Sequence, residues 1–428
     1  MKTLMFAIAA TSAFALSATP VVSDVVIEQR NSRTVKVTYN LSEDAVVTVD
    51  FLTNATAEVW ASIGGKNVTH VWGDCNRLVK GSGPHTLYWA PEKSWGAQFA
   101  DTFSVKAEVK AWAVDAPPDY MVVDLCAEKT VRYYASADFL PDGGVTNSIY
   151  KTDRLVLRKI PAKGVTWRMG SPTGEMGKKQ SEDNWNGWET PHYVTLTEDF
   201  YLGVYELTRR QCIDRIPAGY YWNTEAVPYL EDDPMRPVAG NRYVGAMTYK
   251  AMRGITKLWP GDGHDVAEDC ALDRLRKKTG VDFDLPTEAQ WEFACRAGTG
   301  SALYNGKELS ANDGVNEGLE DIAWYKGNAG VRMHVVGELK PNAFGLYDML
   351  GNVCEYCLDR ITGRGDIGSD SVVDPKGSTA DTKYRIARGG FYSGDAFYSR
   401  SATRQNYSSY ENAESAIGFR LWAPAIAK

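Results

Sequence analysis

From residue 153 to the C-terminus the chain carries almost no sustained hydrophobic periodicity. Long helices need apolar residues at i, i+3, i+4 and i+7, and half-buried strands need strict alternation; neither pattern runs far here. Glycines and tryptophans punctuate short irregular segments, so the fold must use few regular elements and cover irregular backbone with large rings. The 13 Trp and 23 Tyr of the whole chain suit that demand. Two segments escape the irregularity. One reads as a helix near residues 267–279. The other is announced by Leu285-Pro286-Thr287-Glu288-Ala289-Gln290-Trp291, where Thr287 is placed to cap a helix and Gln290 to complete a capping box.

Ahead of that region the texture changes. Between residues 22 and 114 the pattern alternates with period two, most clearly in Phe103-Ser104-Val105-Lys106-Ala107-Glu108-Val109-Lys110-Ala111, with similar runs at 34–39 and 45–51. Clusters such as Gly81-Ser82-Gly83-Pro84 supply turns between the runs. This spacing predicts an all-β sandwich of immunoglobulin type over residues 22–114. Residues 115–152, opened by Ala116-Pro117-Pro118, read as a connecting segment, and residues 153–428 as a second domain. At the N-terminus Lys2, an apolar run over residues 4–16 and the small Ser17 and Ala18 follow the order of a secretory signal peptide, assigned to residues 1–18. Export to the periplasm, cell surface or medium is therefore expected. No segment approaches the ~20 apolar residues of a membrane span, so no integral membrane segment is expected. A net charge of −7 leaves no basic footprint, and nucleic acid is not an expected partner.

The blocks of the second region, read in order, carry a resemblance. They are Trp167-Arg168-Met169-Gly170-Ser171-Pro172, Pro191-His192-Tyr193-Val194-Thr195-Leu196 with Phe200-Tyr201-Leu202-Gly203-Val204-Tyr205-Glu206, the helix segment 285–298, Asn342-Ala343-Phe344-Gly345-Leu346-Tyr347-Asp348-Met349-Leu350-Gly351-Asn352-Val353-Cys354-Glu355, and Arg388-Gly389-Gly390 with Gly418-Phe419-Arg420. Together they resemble the sulfatase-modifying factor, or formylglycine-generating-enzyme-like, family over roughly residues 160–423. The resemblance implies an α+β, variant C-type-lectin-like domain of low regular secondary structure. Arg388, Arg400, Arg404 and Arg420 read as buried salt bridges and carbonyl staples, since each guanidinium brings up to five donors.

In that family formylglycine is made from a sulfatase cysteine, and the aerobic members bind copper through two cysteines after the Arg-Gly-Gly block. Here that stretch is Gly390-Phe391-Tyr392-Ser393-Gly394-Asp395-Ala396-Phe397-Tyr398-Ser399-Arg400-Ser401, and no cysteine follows Cys357. Copper(I) needs soft thiolates, which serine and aspartate oxygens do not replace, so no copper and no catalytic residue are expected. The five histidines, His70, His85, His192, His264 and His334, show no metal-ligand spacing. The resemblance also implies a structural calcium ion at Asp348, Gly351, Val353 and Glu355, whose carboxylates and carbonyls are the hard donors calcium takes. Asn312 and Asp321, at looser spacing, suggest a second site, and a disulfide between Cys295 and Cys357 is expected because the end of the Trp291 helix and the Glu355 block should pack together. Three readings of function stay open. The first is an exported binding or assembly module for an unknown protein, peptide or glycan. The second is an oxidoreductase of the family with an unrecognised centre. The third is a lectin-like ligand-binding protein diversified by a retroelement, pointed to by the Tyr- and Ser-rich stretch 391–410.

Overall fold

The computed structural model describes residues 19–426 apart from 32, 57–58, 96–104, 173, 178–187, 217–233, 240–246, 312, 362–369, 381 and 410–415. The expected signal peptide, Asn312 and the end of the stretch 391–410 therefore lie outside the described residues.

The alternating runs at the N-terminus form two antiparallel sheets that share one core. One sheet orders Val22–Asn31, Thr34–Leu41, Gly83–Trp89 and Val71–Gly73; the other centres on Ala45–Thr56, which pairs Val59–Ser62, Arg77–Val79 and Val105–Trp112. Strict alternation in Thr34–Leu41 turns Val35, Val37, Tyr39 and Leu41 inward against Val47, Val49 and Phe51 of the facing sheet. Phe51 stacks on Trp89 with centroids 4.0 Å apart.

The boundary differs from the one expected. Tyr120–Asp124 and Val131–Tyr134, placed by sequence in a connecting segment, are two strands of a five-stranded antiparallel sheet continued by Arg154–Ile160, Phe200–Gly203 and Trp422–Pro424. The run Tyr120-Met121-Val122-Val123 is buried on both faces, so it has no alternation to reveal it as a strand. Met121, Tyr133 and Tyr201 pack with Val46 of the first sandwich in one core cluster, and the Tyr133 amide donates to the Asn76 carbonyl at 2.9 Å.

Beyond this sheet the second domain is mostly short strands, with few helices. Arg404–Ser409, Tyr384–Arg388, Cys354–Arg360 and Ile417–Gly418 form a second mixed sheet. The helix Ala271–Thr279 starts four residues later than expected because Cys270 takes the cap, its sulfur accepting from the Asp273 amide. The helix Glu288–Arg296 carries the expected capping box: Thr287 Oγ1 accepts from the Gln290 amide at 3.2 Å, and Gln290 Oε1 from the Thr287 amide at 2.9 Å. That helix drives Trp291, fully buried, into the core beside Leu202, Met349 and Ile386. A short helix, Tyr249–Arg253, was not legible in the sequence. Among the described residues no helix is long and apolar enough to cross a membrane.

Candidate functional site

The densest polar constellation lies where the strand Cys354–Arg360 passes under the C-terminal segment. Glu355 is 1% exposed and its carboxylate is fully engaged: Arg420 approaches through Nη2 at 2.6 Å and Nε at 2.9 and 3.0 Å, and Trp291 Nε1 donates at 2.5 Å. Arg420 uses its remaining donors on carbonyls, Nη1 on Gly203 and Val204 and Nη2 on Tyr347. One guanidinium thus ties three chain segments together. Beside it Glu206, also buried, accepts from Asn352 Nδ2 at 2.7 Å and from the Val353 amide at 3.1 Å. Burial, with the charges of Asp348 and Glu355 adding to it, pushes the Glu206 carboxyl well above the usual carboxylate range.

The four residues expected to hold calcium are close in the chain, and the carboxylates among them have protein partners. Asp348 adopts a left-handed backbone, φ 54°, and its Oδ2 accepts from the Gly337 amide at 2.6 Å. Gly351, at φ 79°, lies so close to the Trp324 backbone that a Cβ would fall 2.4 Å from its carbonyl oxygen, which is why glycine stands there. Val353 uses its amide on Glu206, and Glu355 is already neutralised by Arg420. Calcium takes six to eight oxygens and needs uncommitted carboxylate charge. Beside Glu355 the Arg420 guanidinium answers that charge. The expected ion at Asp348, Gly351, Val353 and Glu355 would draw on the Gly351 and Val353 carbonyls and share Glu355 with Arg420. At the second expected site Asp321 is exposed and pairs with Lys340 Nζ at 2.7 Å. Among the described residues no group of three or more His, Cys, Asp or Glu is disposed to hold a metal. Melting in calcium and in chelator tests that ion: a chelator-induced fall supports it, and identical melting temperatures remove it.

The stretch 390–401 is built inward. Ser399 and Ser401 are 1% and 0% exposed, and the Cys295 thiol lies 3.7 Å from Ser401 Oγ. Arg400 between them is locked by Glu189 and Glu175, at 2.9 and 2.6 Å. Burial pushes the Cys295 thiol up to about 12, so it is held protonated. Burial also pushes up the Cys354 thiol beside Gly390, and buried protonated thiols among hydroxyls do not fit copper(I). The expected Cys295–Cys357 disulfide is not formed: both are free buried thiols, and Cys357 Sγ contacts the Glu355 carbonyl instead. Cys354 and Cys357, three apart on one strand, face opposite sides. They enter different core clusters, which removes them as a redox pair.

The arginines behave as expected from their donor count. Arg388 and Arg400 are fully buried, Arg388 pairing with Glu288 and Glu292, while Arg404 grips Glu288 at 2.6 and 2.8 Å. His192 is buried, with Nδ1 2.9 Å from the Thr190 carbonyl.

Residues 162–424 match the family model for the sulfatase-modifying factor enzyme 1-like domain. The chain belongs to this family. Within the sulfatase-modifying factor family it is 30% identical over 264 residues to the formylglycine-generating enzyme of Thermomonospora curvata, covering 54% of this chain and 82% of that one. It is 28% identical over 197 residues to the chaperone protein LppX of Paenibacillus barcinonensis, covering 39% of this chain, and 31% identical over 147 residues to the mouse formylglycine-generating enzyme. The chain spans 64% of that chaperone's length and 38% of the mouse enzyme's. Solved structures similar to it include Treponema denticola variable protein 1, with 24% identity, TM-score 0.43, and coverage of 63% of this chain and 95% of that one. PvdO from Pseudomonas aeruginosa follows with 21% identity, TM-score 0.45, and coverage of 63% and 94%.

Sequence reasoning missed two participants in this family scaffold. Glu206 stood inside a matched block, next to a run of buried residues, and a carboxylate in such a place signals a polar partner. Its partners, Asn352 and Val353, are nearly 150 residues away in the chain, and no local pattern identifies them. Asp284, which holds Arg253 and His264, was passed over for the same reason.

Proposed function

We propose that the chain is an exported binding or assembly module of the sulfatase-modifying factor family, without formylglycine-generating activity. The observation that carries this reading is the environment of residues 390–401: Ser399 and Ser401 are buried, and the thiols beside the stretch, Cys295 near Ser401 and Cys354 near Gly390, are fully buried and held protonated. A thiolate pair open to a sulfatase peptide has no counterpart there. The N-terminal sandwich, read as immunoglobulin-like, serves as a spacing or adhesive unit. The ligand is a protein, peptide or glycan.

The test is direct. The purified chain, loaded with copper, is incubated with a cysteine peptide of sulfatase type, and the peptide mass is followed. No conversion is expected. Mass loss that scales with protein concentration overturns the proposal in favour of an oxidoreductase with an unrecognised centre.

A second reading draws on the aromatic side chains of the same stretch. Phe391, Tyr392, Phe397 and Tyr398 are half-buried, with Phe397 and Tyr398 centroids 4.0 Å apart, and rings of this kind make adaptable contact surfaces. A downstream DNA near-copy of this segment differing mainly at adenines would mark it as a diversified ligand surface.

A further inference from the structure

A second constellation lies away from the stretch 390–401 and from the Glu355 network. A cleft of about 510 Å³ opens between the turn at residues 196–199, the loop carrying His264, and the C-terminal strand Trp422–Pro424. Its size falls among clefts that hold small ligands. At its side His264 lies flat on Trp422, with centroids 4.2 Å apart and planes 7° from parallel, and Trp259 packs at 4.9 Å from the same imidazole.

The imidazole is held from behind. His264 Nδ1 lies 2.9 Å from Asp284 Oδ2, and Asp284 is fully buried, gripped by Arg253 through Nε at 2.9 Å and Nη2 at 3.2 Å. The His264 carbonyl accepts from Arg276 Nη2 at 2.7 Å. A carboxylate fixed in this way holds the Nδ1 proton, and so leaves Nε2 as an oriented acceptor. Nε2 has no partner among the described residues, and the side chain is 35% exposed.

Other polar atoms around the cleft are also uncommitted. Gln290 uses its amide oxygen in the helix cap and leaves its NH2 without a partner. Asp199 binds the Ala162 and Lys163 amides through Oδ1, leaving Oδ2 uncommitted. Lys376 brings an ammonium 5.7 Å from the Trp259 ring, while its carbonyl accepts from Trp259 Nε1 and so ties that loop to the cleft. Unmatched donors and unmatched acceptors thus line one cavity beside stacked aromatic rings.

That mixture discriminates between ligand classes. A simple anion would leave Asp199 and His264 Nε2 unsatisfied, and a simple cation would leave the Gln290 and Lys376 donors unsatisfied. Hydroxyl groups donate and accept at once, and sugar rings present apolar C–H faces to aromatic side chains. We propose that this cleft is a binding site for a neutral saccharide, with His264 Nε2 and Asp199 accepting from its hydroxyls, Gln290 and Lys376 donating to them, and Trp422 and Trp259 as the ring wall. The site stands independently of whether residues 390–401 retain any chemistry.

The test uses the full chain with ¹⁵N-labelled tryptophan and follows the indole N–H signals of Trp422 and Trp259. Cellohexaose, maltohexaose and chitohexaose are titrated separately, with spermidine and citrate as charged probes. The expected result is a saturable shift of both signals with at least one oligosaccharide. His264→Gln should weaken it about tenfold or more, as loss of an oriented hydrogen bond and a ring face implies. Lys376→Ala, at an exposed side chain, serves as the second variant and should also weaken binding. No shift with any of the three sugars overturns the proposal. So does a shift with only spermidine or citrate, or a sugar-induced shift that both variants leave undiminished.

Discussion

Arg420→Met is expected to destabilise the protein by about 3 to 5 kcal/mol, the range for leaving one partner of a buried ion pair behind. The substitution strands Glu355, 1% exposed, with only the Trp291 indole to answer its charge. It also strips donors from the Gly203, Val204 and Tyr347 carbonyls, so the opening strand Phe200–Gly203 loses its tie to Cys354–Arg360. Urea unfolding of the variant measures the loss. The double variant Arg420→Met with Glu355→Leu should recover part of it, because the uncompensated charge is gone, although the three carbonyls stay unanswered. A single variant within about 1 kcal/mol of the parent, the level of an exposed pair, would show that this network does not hold the domain together.

Stability should fall as pH rises from about 4 to about 7, and Asp359→Asn should flatten that slope. Burial, with the charge of Glu288 beside it, pushes the Asp359 carboxyl up to about 7, and burial pushes Asp348 up to about 6 against its Gly337 hydrogen bond. A carboxyl whose folded pKa is raised binds its proton more tightly in the native state. Its protonated form therefore favours folding at low pH, and that advantage disappears as pH passes from the unfolded pKa to the folded one. For Asp359, 3% exposed, the loss amounts to about 2 to 4 kcal/mol by neutral pH. Asparagine retains an oxygen for the Glu288 amide, which Asp359 accepts at 2.7 Å, and carries no charge against the Glu288 carboxylate. The variant should thus melt higher than the parent at pH 8 and match it near pH 4. Parallel pH profiles of parent and variant would remove Asp359 as the source of the slope.

The legible parts of this protein were those whose signal is short in sequence. Alternation over Thr34–Leu41 and Val105–Trp112 announced strands because a half-buried strand must put every second side chain inward. Thr287 and Gln290 announced the helix Glu288–Arg296 because a capping box closes within one turn. Tyr120–Asp124 stayed hidden because a strand buried on both faces reads as a plain apolar run, with prolines just ahead of it. The burial of Arg388, Arg400 and Arg420 was foreseeable from their donor capacity in a fold short of regular ladders, but not their partners.

By itself the sequence determined the family, the order of a β-rich first unit and an irregular second one, and the absence of any cysteine after Cys357. These follow from residue identity and local spacing. Only the tertiary structure decided which charge answers which. Glu355 has two carboxylate oxygens that suit calcium or arginine equally well on paper. In the folded chain Arg420, 65 residues on, pairs with it, because the chain returns to place its guanidinium within 2.6 Å. The same holds for His264: its exposed Nε2 acquires an orientation only when Asp284, Arg253 and Trp422 converge behind it. Such contacts join residues separated by tens to hundreds of positions, and no window of sequence contains both ends.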